Sequence, residues 1–130
     1  MPPLDGLLET ALYVDDPVRS AGFYRDLFSF EAIVESERLI AMAMPNRQVL
    51  LLFKKGLSLA HTVPHDADGQ IHLAWAIPAD SLNDWERRLA ELALPVLERT
   101  TWERGGTSLY FRDPDGHLLE LATPGVWTIY

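Results

Sequence analysis

The sequence predicts an α+β fold of two tandem βαβββ modules, and two observations carry that expectation. The order strand, helix, three strands occurs twice along 130 residues. The first strand of each copy also sets a ligand-type side chain among apolar ones: Glu9 in Leu8-Glu9-Thr10-Ala11-Leu12-Tyr13-Val14, and His72 in Ile71-His72-Leu73-Ala74-Trp75-Ala76-Ile77. A third such position is Glu120 in Leu118-Leu119-Glu120-Leu121-Ala122.

In the first module a strand over Leu7 to Val14 precedes Asp15-Asp16-Pro17. Asp16 reads as a helix start, because its carboxylate can accept from free amides of the first turn and the following proline is already set to a helical φ. The helix runs from Val18 to Phe28, with Phe23, Tyr24, Leu27 and Phe28 as core. Strands follow at Glu31 to Glu35, Leu39 to Met44 and Gln48 to Lys54. The second module repeats the order: a strand over Gln70 to Ile77, a start signal at Asp80-Ser81, and a helix from Leu82 to about Leu92. In that helix Leu82, Trp85, Leu89 and Leu92 form an apolar stripe opposite Asp84, Glu86, Arg87 and Glu91. Strands near Val96 to Thr100, Thr107 to Arg112 and His117 to Ala122 complete the copy. Arg112-Asp113-Pro114-Asp115-Gly116-His117 reads as a tight hairpin making the last two strands antiparallel neighbours. Module one spans about 4–55, the linker about 56–69 and module two about 70–124 of a single domain; the linker is long enough for a mobile flap.

Strand parity decides where the polar residues face. Glu9, Ala11 and Tyr13 share one side of their strand, as do His72, Ala74 and Ala76 of theirs. The helix must cover the bulkier opposite side, which leaves a hollow lined by small residues around one ligand-capable group. Charges among Leu, Ile and Val are costly to desolvate unless something pairs with them. Two carboxylates and one imidazole in this setting suggest a bound divalent metal. The competing readings are a solvated or arginine-paired Glu9, a satisfied core imidazole at His72, and a salt bridge from Glu120 to Arg112 or Arg47. His61, His65 and His117 lie in turns or the linker, where solvated histidine is ordinary; His65 is the one a flap could fold over the hollow as a proton donor. Tyr13, Tyr110 and Trp102 are candidate wall residues, and the apolar tail Val126 to Tyr130 is expected to cover the hollow or a subunit seam.

Composition excludes other classes. With 48% hydrophobic and 23% charged residues the chain reads as globular. A formal net charge of −8 without a basic cluster argues against nucleic acid and anionic membrane partners. The absence of cysteine rules out disulfides and thiolate metal sites. No signal peptide is read at Met1-Pro2-Pro3-Leu4-Asp5-Gly6, and no stretch is apolar enough to span a bilayer, so a cytoplasmic protein is expected.

Leu12-Tyr13-Val14-Asp15-Asp16 followed by Phe23-Tyr24-Arg25-Asp26, and then Phe111-Arg112-Asp113-Pro114-Asp115-Gly116-His117-Leu118-Leu119-Glu120-Leu121, resembles the vicinal oxygen chelate superfamily. That superfamily includes glyoxalase I, bleomycin resistance proteins, fosfomycin resistance thiol transferases and extradiol dioxygenases. The resemblance covers essentially the whole chain. It implies cup-shaped mixed sheets with helices on the convex face, a divalent metal, and often a homodimer. Carried over residue by residue, it implies Glu9, His72 and Glu120 as metal ligands. Glu9 stands where histidine or glutamine is commoner, which makes the donor set one nitrogen and two carboxylates. Such a set tilts toward Mn, Fe or Mg, with Zn, Co and Ni also accommodated. Leu51 stands where glyoxalase I enzymes carry a fourth ligand, so glyoxalase I itself is disfavoured. The expected function is a glyoxalase/dioxygenase-like metal-dependent enzyme, a lyase, isomerase, thiol transferase or dioxygenase, acting on a small molecule chelated through adjacent oxygens. The alternative is a bleomycin-resistance-like protein that sequesters a small molecule without catalysis.

Overall fold

The computed structural model describes residues 1–130, which divide into a first unit, Met1–Asp68, and a second, Gly69–Tyr130. The first contains β1 (Glu9–Val14), α1 (Pro17–Phe28), β2 (Glu31–Glu35), β3 (Leu39–Met44) and β4 (Gln48–Lys54). Its sheet has the order β1-β4-β3-β2, with β1 parallel to β4 and the other pairs antiparallel. A parallel pair needs a long crossover, and α1 with the β2–β3 hairpin supplies it. Asp16 caps α1 as expected, its Oδ1 accepting from Val18 N at 3.0 Å and Arg19 N at 3.2 Å. The helix ends at Ser29, whose left-handed φ of 62° lets its amide return to Arg25 O. Leu12, Val14, Leu50 and Leu52 lie fully buried on one face, and α1, with Ala21, Tyr24 and Leu27 buried, packs against β3 and β4. Each such side chain contributes roughly 1.5–3 kcal/mol of transfer free energy, so this face sets which side the helix takes.

The segment after β4, long enough for a mobile flap, is closed at its base by polar contacts. Lys55 Nζ meets Asp68 at 2.9 Å and Asp15 at 3.4 Å, and Gly56 N donates to Asp66 Oδ1 at 3.0 Å. Ser58 is buried, its hydroxyl accepting from Arg38 Nη1 at 3.0 Å and its carbonyl from His65 N at 3.4 Å.

The second unit contains β5 (His72–Ala76), α2 (Leu82–Glu91), β6 (Glu98–Thr101), β7 (Thr107–Arg112) and β8 (Leu118–Ala122). Its sheet order, β5-β8-β7-β6, with β5 parallel to β8, repeats that of the first. α2 begins at Leu82, directly after Asp80-Ser81, as read. A 3₁₀ turn over Ala79–Ser81 leads into it, and the Ser81 hydroxyl donates back to Pro78 O at 2.8 Å instead of capping the first turn. On its apolar stripe Leu89 is fully buried. The β7–β8 turn forms as read: Asp113 Oδ1 accepts from Asp115 N and His117 N, and Gly116 takes a φ of 82°. His117, expected in solvent, is instead 2% exposed, and its Nδ1 accepts from Ile71 N at 3.1 Å. It therefore satisfies a backbone donor at the mouth of β5. Gly106 and Gly125 pack backbone to backbone, so closely that a Cβ on Gly106 would lie 2.5 Å from Gly125 C. The tail is anchored by Tyr130, whose hydroxyl donates to Ile77 O at 3.2 Å and Ala122 O at 3.0 Å, while Trp127 and Ile129 stay exposed. No helix is long and apolar enough to cross a membrane.

Candidate metal centre

In the second unit the parallel register sets His72 beside Leu118 and Ala74 beside Glu120. With side chains alternating along each strand, His72 and Glu120 emerge on one face and lean together, His72 Nε2 lying 3.1 Å from Glu120 Oε2. His72 Nδ1 lies 3.0 Å from Leu118 O. A carbonyl only accepts, so Nδ1 carries a proton and donates it there. The Nε2 of a neutral ring is then a lone pair aimed at a carboxylate. A proton on Nε2 makes this contact an imidazolium–carboxylate ion pair, and a divalent cation held by both atoms satisfies the same two acceptors. Cis ligand atoms on a divalent ion with bonds of about 2.1 Å stand about 3 Å apart, which is the spacing present. Donation of the other ring nitrogen to a carbonyl is also how a ligating histidine is usually oriented. The donor pair fits a divalent metal.

Glu120 is held from behind as well. It is 6% exposed, its Oε1 accepts from the Ser108 hydroxyl, and Ser108 Oγ in turn accepts from Trp102 Nε1 at 2.8 Å. Tyr110 stands opposite Glu120 across β7 and β8, its ring centroid 6.3 Å from that of His72. Burial and then the negative charge of Glu120 push the Tyr110 phenol above its ordinary value against a lowering hydrogen bond from Ser108. Arg112 and Arg47, the alternative partners for Glu120, are not the groups that hold it. Ser108 escapes sequence reasoning because a serine in a strand carries no chemical signal until its register with Glu120 is known.

Glu9 belongs to the first unit, at the exposed start of β1. It lines a hollow of about 270 Å³ with Thr10, Ala11, Tyr13, Leu51, Phe53 and His65. Tyr13 stacks on Phe53 with ring centroids 5.6 Å apart, and His65 closes over both. The structure brings His72 and Glu120 together and leaves Glu9 in the other unit; no group of three His, Cys, Asp or Glu side chains is assembled within the chain. His61 is exposed.

The two units carry the same register. Ala11 pairs with Leu51 as Ala74 pairs with Glu120. Leu51 thus occupies in the first unit the place that Glu120 holds in the second. The model of the Glyoxalase/Bleomycin resistance protein/Dioxygenase superfamily matches residues 6–121. The chain belongs to this superfamily. Among curated members of the superfamily, the metallothiol transferase FosB of Bacillus licheniformis is 30% identical over 94% of this chain and 77% of its own length. A solved lactoylglutathione lyase from Agrobacterium tumefaciens superimposes with a TM-score of 0.89 at 32% identity, covering 98% of this chain and 99% of that one. The fosfomycin resistance protein FosX from Listeria monocytogenes, complexed with Mn(II) and sulfate, shares the fold, with a TM-score of 0.73 at 22% identity over 95% of this chain and 94% of its own.

Proposed function

We propose that this chain is a metal-dependent enzyme of the glyoxalase and metallothiol transferase type, holding a small substrate by adjacent oxygens on a divalent cation bound by Glu9, His72 and Glu120. The observation that carries the reading is His72: its Nδ1 is committed to Leu118 O, and its Nε2 faces the Glu120 carboxylate at 3.1 Å. A divalent cation in such a site supplies Lewis-acid polarisation of the substrate oxygens. The chain's own residues do the rest. Leu118 O holds the imidazole in one tautomer, and Ser108 fixes the carboxylate rotamer. Tyr110, hydrogen-bonded to Glu120, helps hold the same carboxylate. Leu51 in place of a fourth ligand leaves more positions for substrate.

We infer a homodimer in which Glu9 of one copy joins His72 and Glu120 of the other. Metal analysis of protein purified without a chelating column tests the ligand set. Wild type is expected to bind one divalent ion per site, from among Mn, Fe, Co, Ni and Zn, and His72→Ala and Glu120→Ala to lose it. Equal binding by wild type and the Glu9, His72 and Glu120 triple alanine variant overturns the assignment. Mixing Glu9→Ala with His72→Ala protein tests the shared site, since each heterodimer regains one complete ligand set. A monomer in sedimentation at tens of micromolar protein, an order-of-magnitude choice, refutes the dimer.

The aromatic lining of the first unit's hollow favours a second reading, a binding protein that sequesters aromatic molecules. Trp fluorescence titrations decide between them. A chelating substrate binds only metallated protein, whereas a sequestering protein binds aromatic ligands equally with and without metal.

A further inference from the structure

The hollow of the first unit has two chemically different ends. At one stands Glu9; at the other Tyr13 Oη and His65 Nδ1 lie 2.6 Å apart. Between them run Ala11, Leu51 and Phe53, which carry no polar side-chain group. A phenol is a stronger acid than a neutral imidazole N–H, and an imidazole nitrogen is a better base than a phenol oxygen. The shared proton therefore belongs to Tyr13, which donates to Nδ1, and the neutral ring keeps its second proton on Nε2 as a donor.

His65 holds this position for reasons independent of any ligand. Its ring meets Phe53 edge-on at 4.6 Å and Tyr13 at 5.7 Å, and its backbone amide donates to the carbonyl of buried Ser58. The segment that carries it is closed at its base by the Lys55–Asp68 ion pair and the Gly56–Asp66 hydrogen bond. Asp68 keeps the Lys55 ammonium pKa above its ordinary value, against the opposing effect of partial burial. The imidazole is thus a preorganised wall group of the hollow.

We propose that the Tyr13–His65 pair is a second recognition point of the hollow, a hydrogen-bond donor for an oxyanion or carbonyl at the end of the substrate opposite its chelating oxygens. The inference rests on the proposed chelation at Glu9 and deepens it by naming a substrate class. Glu9 and Tyr13 are four residues apart on one face of β1, about 13 Å along a strand. The substrate class is therefore a small molecule with adjacent oxygens, a flat or apolar body against Phe53 and Leu51, and an acceptor group at its far end.

A catechol series measures this directly. Mn-loaded wild-type protein is titrated with catechol, 3,4-dihydroxybenzoate, 3,4-dihydroxyphenylacetate and 3-(3,4-dihydroxyphenyl)propanoate, and the titrations are repeated on His65→Phe, His65→Gln and Tyr13→Phe proteins. All four probes chelate alike and differ in the reach of the carboxylate. In wild type the acids are expected to bind more tightly than catechol as the chain lengthens, by roughly tenfold for the propanoate, the size of one hydrogen bond to a charged group. His65→Phe should abolish that gain, with metal stoichiometry by elemental analysis and far-UV circular dichroism reporting that the variant is metallated and folded. His65→Gln, which restores an N–H, should recover part of the gain, and Tyr13→Phe should reduce it. An equal gain in wild type and His65→Phe overturns the second recognition point and leaves the chelate reading standing. Failure of plain catechol to bind Mn-loaded wild type overturns the chelate reading and this inference with it.

Discussion

Ser108→Ala should weaken divalent-metal binding without touching a ligand. Ser108 is fully buried, and its hydroxyl is the donor to Glu120 Oε1 and the acceptor for Trp102 Nε1. Alanine removes one oxygen, and a site with no exposure does not readily admit solvent in its place. The two orphaned groups then fare differently. Trp102 is 39% exposed, so its indole N–H finds solvent. Glu120 is only 6% exposed and keeps a carboxylate oxygen without a donor, which costs about 1–3 kcal/mol. A carboxylate free to rotate is also a poorer ligand, and the loss of such an outer support typically costs roughly 10–100-fold in metal affinity. Calorimetric titration of wild type and Ser108→Ala with Mn and Zn reads the affinity, and Trp emission reads the release of Trp102 as a red shift. Affinity within twofold of wild type alongside a red-shifted emission refutes the argument, because the hydrogen bond would then be gone without consequence for the ligand.

Asp16→Ala removes the side-chain acceptor at the start of α1 and should cost about 1 kcal/mol in urea unfolding. Leu52→Ala, at a fully buried β4 position under α1, should cost about 2–5 kcal/mol by the same assay. Tyr130 has its phenol pKa raised by burial, which outweighs the lowering effect of the Ile77 backbone. Its folded value thus lies above the unfolded one of about 10, so the stabilisation is complete below pH 10 and is lost as pH climbs through the folded value. Absorbance titration at alkaline pH should show one late-ionising phenol missing in Tyr130→Phe, and that variant should lose less stability than wild type between pH 8 and pH 11, values chosen to bracket the tyrosine range.

The alternation of Leu12, Val14, Leu50 and Leu52 with Ala11 and Leu51 locates both sheet faces from the amino-acid order alone, because burial enforces strict parity on strands. The same logic singles out His72 and Glu120, which are cheap in those strands only when they face each other. Asp16-Pro17 and the Asp113 to Gly116 turn are legible for a local reason: their hydrogen bonds close within four residues. Asp80-Ser81 likewise marks the start of α2 at Leu82, although the Ser81 hydroxyl bonds back to Pro78 O and not into the first turn. His117 misleads because its partner, the Ile71 amide, is 46 residues away and belongs to the pairing of β5 with β8. Ser108 and the Tyr13–His65 pair are illegible as pairs for the same reason, since both depend on contacts between distant segments. The Arg112 and Arg47 alternatives for Glu120 stay open until the strand register brings Ser108 to it.

The matched registers of the two units carry a consequence for how such proteins diversify. Ala11 faces Leu51 across one parallel pair as Ala74 faces Glu120 across the other, and the backbone pairing is the same in both places. Which donor a rung presents is therefore set by a side chain and not by the fold. Exchanging a leucine for a carboxylate at one rung, or the reverse, adds or removes a carboxylate while the strand pairing stays where it was. Lineages built on this scaffold can gain or lose a carboxylate at a rung without altering the ladder, so a shared architecture coexists with unrelated chemistries.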